Sequence, residues 1–184
     1  MASVITATTT SGLTQSADNS GVLQLASGTG NLVTVPSVTG TAMVSGNMPA
    51  FSAYQSTLQS VNSSTFAKVQ LQTEEFDTAS AFDSTTNYRF TPLVAGYYQV
   101  SGNIGWGFTS GQSVVSLYKN GSRFKDGNFS TGGSDGAQSV LSALVYLNGS
   151  TDYIEMYCYQ NTGTAKNTGT GATSTFFQAV MVRN

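Results

Sequence analysis

An all-β sandwich or jelly roll is the fold class this sequence predicts, and three observations carry it. From residue 90 onward short strand-like runs follow one another, at 90–106, 113–124, 139–159 and 174–184, each closed by Gly, Asn or Ser. No helical run stands between them. Within the runs apolar and polar residues alternate, the period of a strand with one buried face. On such a scaffold function is to be sought on loops, edges and subunit contacts.

Taken in order, residues 1–48 differ from the rest. They are rich in Thr, Ser and Gly, and Asp18 is their only charge. Two apolar runs, GVLQLA at 21–26 and NLVTVPSV at 31–38, read as short strands joined by a glycine turn. The segment has too few large side chains for a core of its own. Val22, Leu23, Leu25, Leu32, Val33 and Val35 fit an arm that packs on a neighbouring protein. A disordered tail is the alternative.

The head is expected over 49–184, where Pro49 disfavours a helix across the joint. Strands are expected near 50–57, 65–72, 86–91, 96–106, 113–119, 123–128, 138–147, 151–160 and 174–183. At 97–106, Tyr98, Val100, Ile104 and Trp106 share one face, and Gln99, Ser101 and Asn103 the other. At 151–160 both faces carry bulk: Ile154, Met156 and Cys158 on one, Tyr153, Tyr157 and Tyr159 with Glu155 on the other. A strand apolar on one side and tyrosine-lined on the other suits a place between core and subunit partner. With Phe51, Tyr54 and Phe177, these three tyrosines are the expected subunit contacts. Tyrosines over a plain sheet surface are the other reading of the pattern.

Composition excludes several classes. Charged residues make up 9% of the 184, against roughly 25% in ordinary soluble domains. The solvent face is therefore covered by Ser, Thr, Asn, Gln and Gly, as on outward-facing surfaces and subunit interfaces. A net charge of −2, with seven scattered basic residues, leaves no footprint for nucleic acid. No run approaches the ~20 apolar residues of a membrane helix. The opening MASVITATTTSGLTQ has no basic start and apolar run, so no secretory signal is read there. Cys158, the single cysteine, excludes an internal disulfide framework and is expected to be a buried small hydrophobe.

The chain has no histidine, which removes Ser-His-Asp and Cys-His catalysis and histidine metal sites. Gly28-Thr29-Gly30 and Gly169-Thr170-Gly171 lack the strand-turn-helix setting of phosphate loops. Glu74, Glu75 and Asp77 are expected to share one acidic loop, with Asp83 just beyond. A calcium ion needs six to eight converging oxygens; a solvated acidic loop is the preferred reading. Asp126, Asp135, Asp152 and Glu155 show no paired-carboxylate signature for glycoside hydrolysis. No cofactor and no catalytic residue is expected. The sequons at Asn62, Asn120, Asn128 and Asn148 are what chance gives in a Ser- and Asn-rich chain. Polar loops at 109–111, 130–136 and 161–173 offer hydrogen bonds to glycans, with Tyr and Trp faces nearby. Plain surface connections are the alternative.

Residues 51–184 resemble the globular head of complement subcomponent q, within the tumour-necrosis-factor-like superfamily. The landmarks come in order: AFSAY at 50–54, Phe76-Asp77, YRFTP at 88–92, AGYYQV at 95–100, VSLYKNG at 115–121, LVYLNGSTDYIEMY at 144–157 and STFFQA at 174–179. Three departures stand out. The turn at 148–152 is longer than the family's, Gln178-Ala179 stands where the family favours Gly, and no collagen-like stalk precedes the domain. The resemblance implies a ten-stranded antiparallel jelly-roll sandwich assembled as a homotrimer. The segment SADNSGVLQLASGTGNLVTVPSVTGTA, at 16–42, resembles the repetitive openings of bacteriophage tail and capsid appendage proteins.

The function expected is a non-enzymatic phage virion protein. Its arm, 1–48, would join capsid or tail proteins, and its head would face a host-surface glycan, as a tail fibre or a capsid decoration. A soluble glycan-binding module without a virion role is the alternative.

Overall fold

The computed structural model describes residues 48–183, together with two strands at 23–27 and 31–35. The chain separates into two units, Met1–Ala42 and Met43–Asn184. In the first, β1 (Leu23–Ser27) and β2 (Asn31–Val35) pair antiparallel, in a register that sets Leu23 against Val35, Leu25 against Val33 and Ala26 against Leu32. The two expected strands are present there. Val22 and residues 28–30 lie outside the described residues.

The second unit holds β3 (Ala50–Tyr54), β4 (Ser60–Val61), β5 (Ala67–Lys68), β6 (Thr73–Asp77), β7 (Phe82–Asp83), β8 (Arg89–Phe90), β9 (Ala95–Trp106), β10 (Gln112–Lys119), β11 (Ser122–Thr131), β12 (Ala137–Asn148), β13 (Ile154–Gln160), β14 (Lys166–Asn167) and β15 (Phe176–Arg183). Every pairing is antiparallel, and no helix occurs among the described residues. One sheet runs β12-β9-β15-β3-β6 and the other β11-β10-β13-β8-β7, with β5 also on β13. Two five-strand paths make the ten strands of a jelly roll, and β5 is an eleventh. β4 and β14 form a separate ribbon.

Alternation places the core. β12 is buried at every second residue along its whole length, with Leu141, Ala143, Val145 and Leu147 inward. β9 sends in Tyr98, Val100, Ile104 and Trp106; β13 sends in Ile154, Met156 and Cys158. Those are the faces the sequence assigns them. At the centre Phe51 stacks on Phe82 and Phe90, with centroids 4.6 and 4.5 Å apart, and meets Phe177 edge-on at 5.3 Å. Tyr98 closes this cluster, and its hydroxyl donates to the Val94 carbonyl at 2.7 Å. Cys158 is fully buried, and burial pushes its thiol up to about 12.

Several strand limits differ from expectation. Of 65–72 only Ala67–Lys68 is strand, and of 86–91 only Arg89–Phe90. The expected acidic loop is instead an edge strand, β6, paired to β3 through a bulge between Ser52 and Ala53. Charge on an edge strand blunts pairing with other chains, and the bulge breaks the period that would have revealed it. β13 starts at Ile154, not 151, because Asn148 Oδ1 accepts the N–H groups of Ser150, Thr151 and Asp152 and extends the turn. Between β10 and β11, Asn120 and Gly121 both have positive φ, 53° and 75°. That is the geometry of a two-residue hairpin matched to strand twist.

The antiparallel paths put the loops at two ends. Turns 78–81, 91–94, 120–121 and 149–153 share one end with the start of β3. Segments 107–111, 132–136 and 161–175 share the other. The head is therefore entered at the end opposite its long polar loops.

Candidate functional site

The pleat that buries one side of the five-stranded sheet presents the other to solvent, and that side sets seven large apolar side chains among Gln99, Ser101, Ser142 and Gln178. From β12 it carries Val140, Leu144 and Tyr146; from β9, Tyr97; from β15, Val180 and Val182; from β6, Phe76. Their exposure runs from 41% at Tyr97 to 54% at Val140. They are neighbours by register: Tyr97 pairs with Tyr146, their rings edge-on at 5.3 Å, and Gln99 lies between Leu144 and Val180. Along β12, β9, β15 and β3 the only charged residue is Arg183. A shallow depression of about 270 Å³ opens in this face, lined by Ala50, Phe76, Gln99, Ser101, Gln178 and Val180. Charge on this sheet is confined to its margins, Glu74, Glu75 and Asp77 on β6 and Arg183 at the end of β15, and exposed apolar surface with charge kept to the rim is the make-up of an interface core.

The residues singled out from sequence fall in three places. Phe51 and Phe177 are fully buried between the two sheets of a single chain. Their side chains are core, not subunit contact, because inward strand positions there meet the other sheet. Tyr54 is half-buried at the end of β3, paired with Phe176 and Thr73. Tyr153, Tyr157 and Tyr159 lie on the outer side of the six-stranded sheet, across the sandwich from the apolar face. There Tyr157 stacks on Tyr118 at 3.8 Å, Tyr159 packs on Phe66 at 5.0 Å, and the Arg123 guanidinium lies 4.4 Å above Phe66. Sequence reasoning missed Tyr97, Val140, Leu144, Tyr146, Val180 and Val182. The signal was available: SVLSALVYL on β12 carries bulk on both faces, just as β13 does.

Among the described residues every carboxylate except Asp135 has its own hydrogen-bond or ionic partner. Glu75 accepts from the Ser52 hydroxyl at 2.7 Å and Glu74 from Ser84 at 2.6 Å. Asp77 accepts from the backbone of Ala79 and Phe82 at 3.1 and 2.7 Å. Among the described residues no three acidic or thiol side chains converge as a metal site would require. Asp126 is held below the usual carboxylate range by Arg123, then by Ser116. Asp152 is held low by Asn120 and then Lys119, whose ammonium is 2.9 Å away. Asp83 is lowered most, by the N–H groups of Thr86 and Thr85. These are structural anchors of turns, with no pair facing across a cleft.

At the loop-bearing end, amide side chains tie the segments together. The Thr168 hydroxyl donates to Gln55 Oε1 at 2.5 Å, Gln55 Nε2 to Gln59 Oε1 at 3.0 Å, and Gln160 Nε2 to the carbonyls of Val61 and Thr164 at 3.0 and 2.9 Å. Trp106 and Phe108, beside the 107–111 segment, are only 4% exposed, whereas Phe129, beside 132–136, is 62% exposed. The Trp face expected beside the loops is thus withdrawn into the core, and stacking on a sugar is not available from it.

No family model and no curated protein matches the chain. Solved structures do. The Eiger TNF from S. frugiperda aligns over 75% of this chain and 94% of its own, with TM-score 0.56 and 14% identity. The globular domain of zebrafish complement 1qA protein aligns over 74% and 99%, with TM-score 0.53 and 15% identity. The phage PRD1 vertex protein aligns over 73% and 97%, with TM-score 0.58 and 17% identity. The head is therefore a jelly roll of the kind found in TNF and complement 1q heads. At these identities the likeness shows the fold alone.

Proposed function

We propose that this chain is a non-enzymatic structural protein of a phage particle. Its head forms a homotrimer through the outer face of the five-stranded sheet, and its N-terminal segment fixes the trimer to capsid or tail. The uncharged apolar face around Leu144, Tyr146 and Val180 carries this reading, because a single chain has no use for so much exposed bulk. A closed ring of identical copies satisfies such a face without leaving an open end. The likeness to a phage vertex protein and the composition of residues 16–42 support the virion setting. Entry at one end and long loops at the other suit a head that stands on a particle and meets the host surface with its far end.

Light scattering on the full chain and on residues 43–184 tests the assembly. A mass of three copies for both is expected; one copy at every concentration would overturn it. Mass spectrometry of purified particles tests the virion setting. Stoichiometric presence of this chain is expected, and its absence would remove that part.

A further inference from the structure

The β7–β8 hairpin borders a groove of about 340 Å³ at the edge of the six-stranded sheet, off the apolar face. Arg89 lines it. Register sets Arg89 directly opposite two acids, Asp83 on β7 and Glu155 on β13. Both acids are taken. Asp83 accepts from the N–H groups of Thr85, Thr86 and Asn87 at 3.0, 2.9 and 3.1 Å, and Glu155 pairs with Lys68 at 2.5 Å. Among the described residues no carboxylate pairs with the Arg89 guanidinium. It is not loose, since it lies 4.4 Å over the ring of Tyr153. A guanidinium fixed by an aromatic ring, with its donors free, is prepared to take a carboxylate through two parallel bonds. The Asp83 carboxylate also lines the groove and takes one Asn87 amide proton at 2.7 Å; the rest of the wall supplies Ser80, Thr91 and the remaining Asn87 amide atoms as polar partners, and Leu93 as an apolar rim 77% exposed.

We propose that this groove binds an acidic sugar, with the carboxylate on Arg89, hydroxyls on Ser80, Asn87 and Thr91, and the apolar ring face against Leu93. One guanidinium with unpaired donors matches a single carboxylate. A ring with several hydroxyls uses the mixed wall better than an extended peptide does. Two nearby acids, Asp83 and Glu155, balance Lys68 and Arg89, so the attraction comes from the directed guanidinium donors rather than from net charge, and the site is weak. The site belongs to the single chain and goes beyond the assembly reading: it stands or falls separately from trimer and particle.

The test is saturation-transfer NMR on the full chain at low salt with three probes. These are a hyaluronan tetrasaccharide carrying glucuronate, chitotetraose carrying no carboxylate, and tetraglutamate. Saturation of the uronate fragment alone is expected, with at least a tenfold loss in affinity for Arg89→Gln and a clear loss for Leu93→Glu. Leu93 is exposed enough that its variant folds even if Arg89→Gln does not. No uronate signal, equal signal from chitotetraose or tetraglutamate, or full binding by folded Arg89→Gln or by Leu93→Glu would each overturn the proposal.

Discussion

Phe51 shows how one side chain can hold both sheets. It belongs to the five-stranded sheet, yet it stacks on Phe82 and Phe90 of the other and touches Phe177 of its own. Truncation removes ring contacts on three sides, and a cluster of rigid rings cannot close the hole. Phe51→Ala should cost about 3–5 kcal/mol in urea unfolding. Titration follows the same residue-level logic. Asp83, Asp126 and Asp152 have folded pKa values below their unfolded ones. Their contribution is present above the unfolded value of about 3.9 and fades as pH falls below it. Tyr98 is pushed up to about 12 by burial, so stability falls as pH rises from its unfolded value, about 10, toward 12. Cys158, raised for the same reason, starts that loss nearer pH 9. With no histidine in the chain, thermal melts should be flat across the neutral range and drop on both sides. A midpoint that moved between pH 6 and 7 would contradict this.

At the scale of elements, the joint between β11 and β12 is the place where the two sheets meet at one edge. Asn128 Oδ1 accepts from the Val140 N–H at 2.6 Å, and a Cβ on Gly127 would run into the Val140 carbonyl. Gly127→Ala should therefore lower the melting temperature, although β11 is otherwise an exposed edge strand. An unchanged melt would mean that β11 can lift away without loss. Long strands were legible in the sequence: β9, β10, β12 and β15 fall within about two residues of expectation. β5 and β8 were overextended because β-prone residues continued past the two that find a partner. β6 was missed because its charges read as loop. The reason is physical, since edge strands carry charge to stay unpaired.

For the whole molecule, the question is which surface is covered in the assembled state. Leu144→Glu combined with Val180→Glu places two carboxylates on either side of Gln99, in the middle of the apolar face. Both positions are exposed in the single chain, so the fold should persist by circular dichroism while the native mass falls to one copy. A double variant that kept the three-copy mass would move the interface elsewhere. The tyrosines expected to make subunit contacts, Tyr153, Tyr157 and Tyr159, sit on the opposite side of the sandwich. Tyr157→Ser should leave the mass unchanged under the assembly proposed here.

The sequence by itself determined the β class, the inward residue sets of the long strands and the absence of histidine chemistry, because alternation and composition are local properties of the chain. It also marked the landmarks that resemble the complement-q head. Only the tertiary structure decided which outward faces stay uncovered. Outward residues on β12 and β13 look alike in sequence, with bulk on both sides, yet one set lies on an open apolar sheet and the other in a packed tyrosine row. That difference depends on strand order. β15 joins β3 across the length of the head, and Arg89 meets Glu155 from a distant segment. Pairings between remote segments are set by the energy of the whole packed sandwich, which no window of sequence contains.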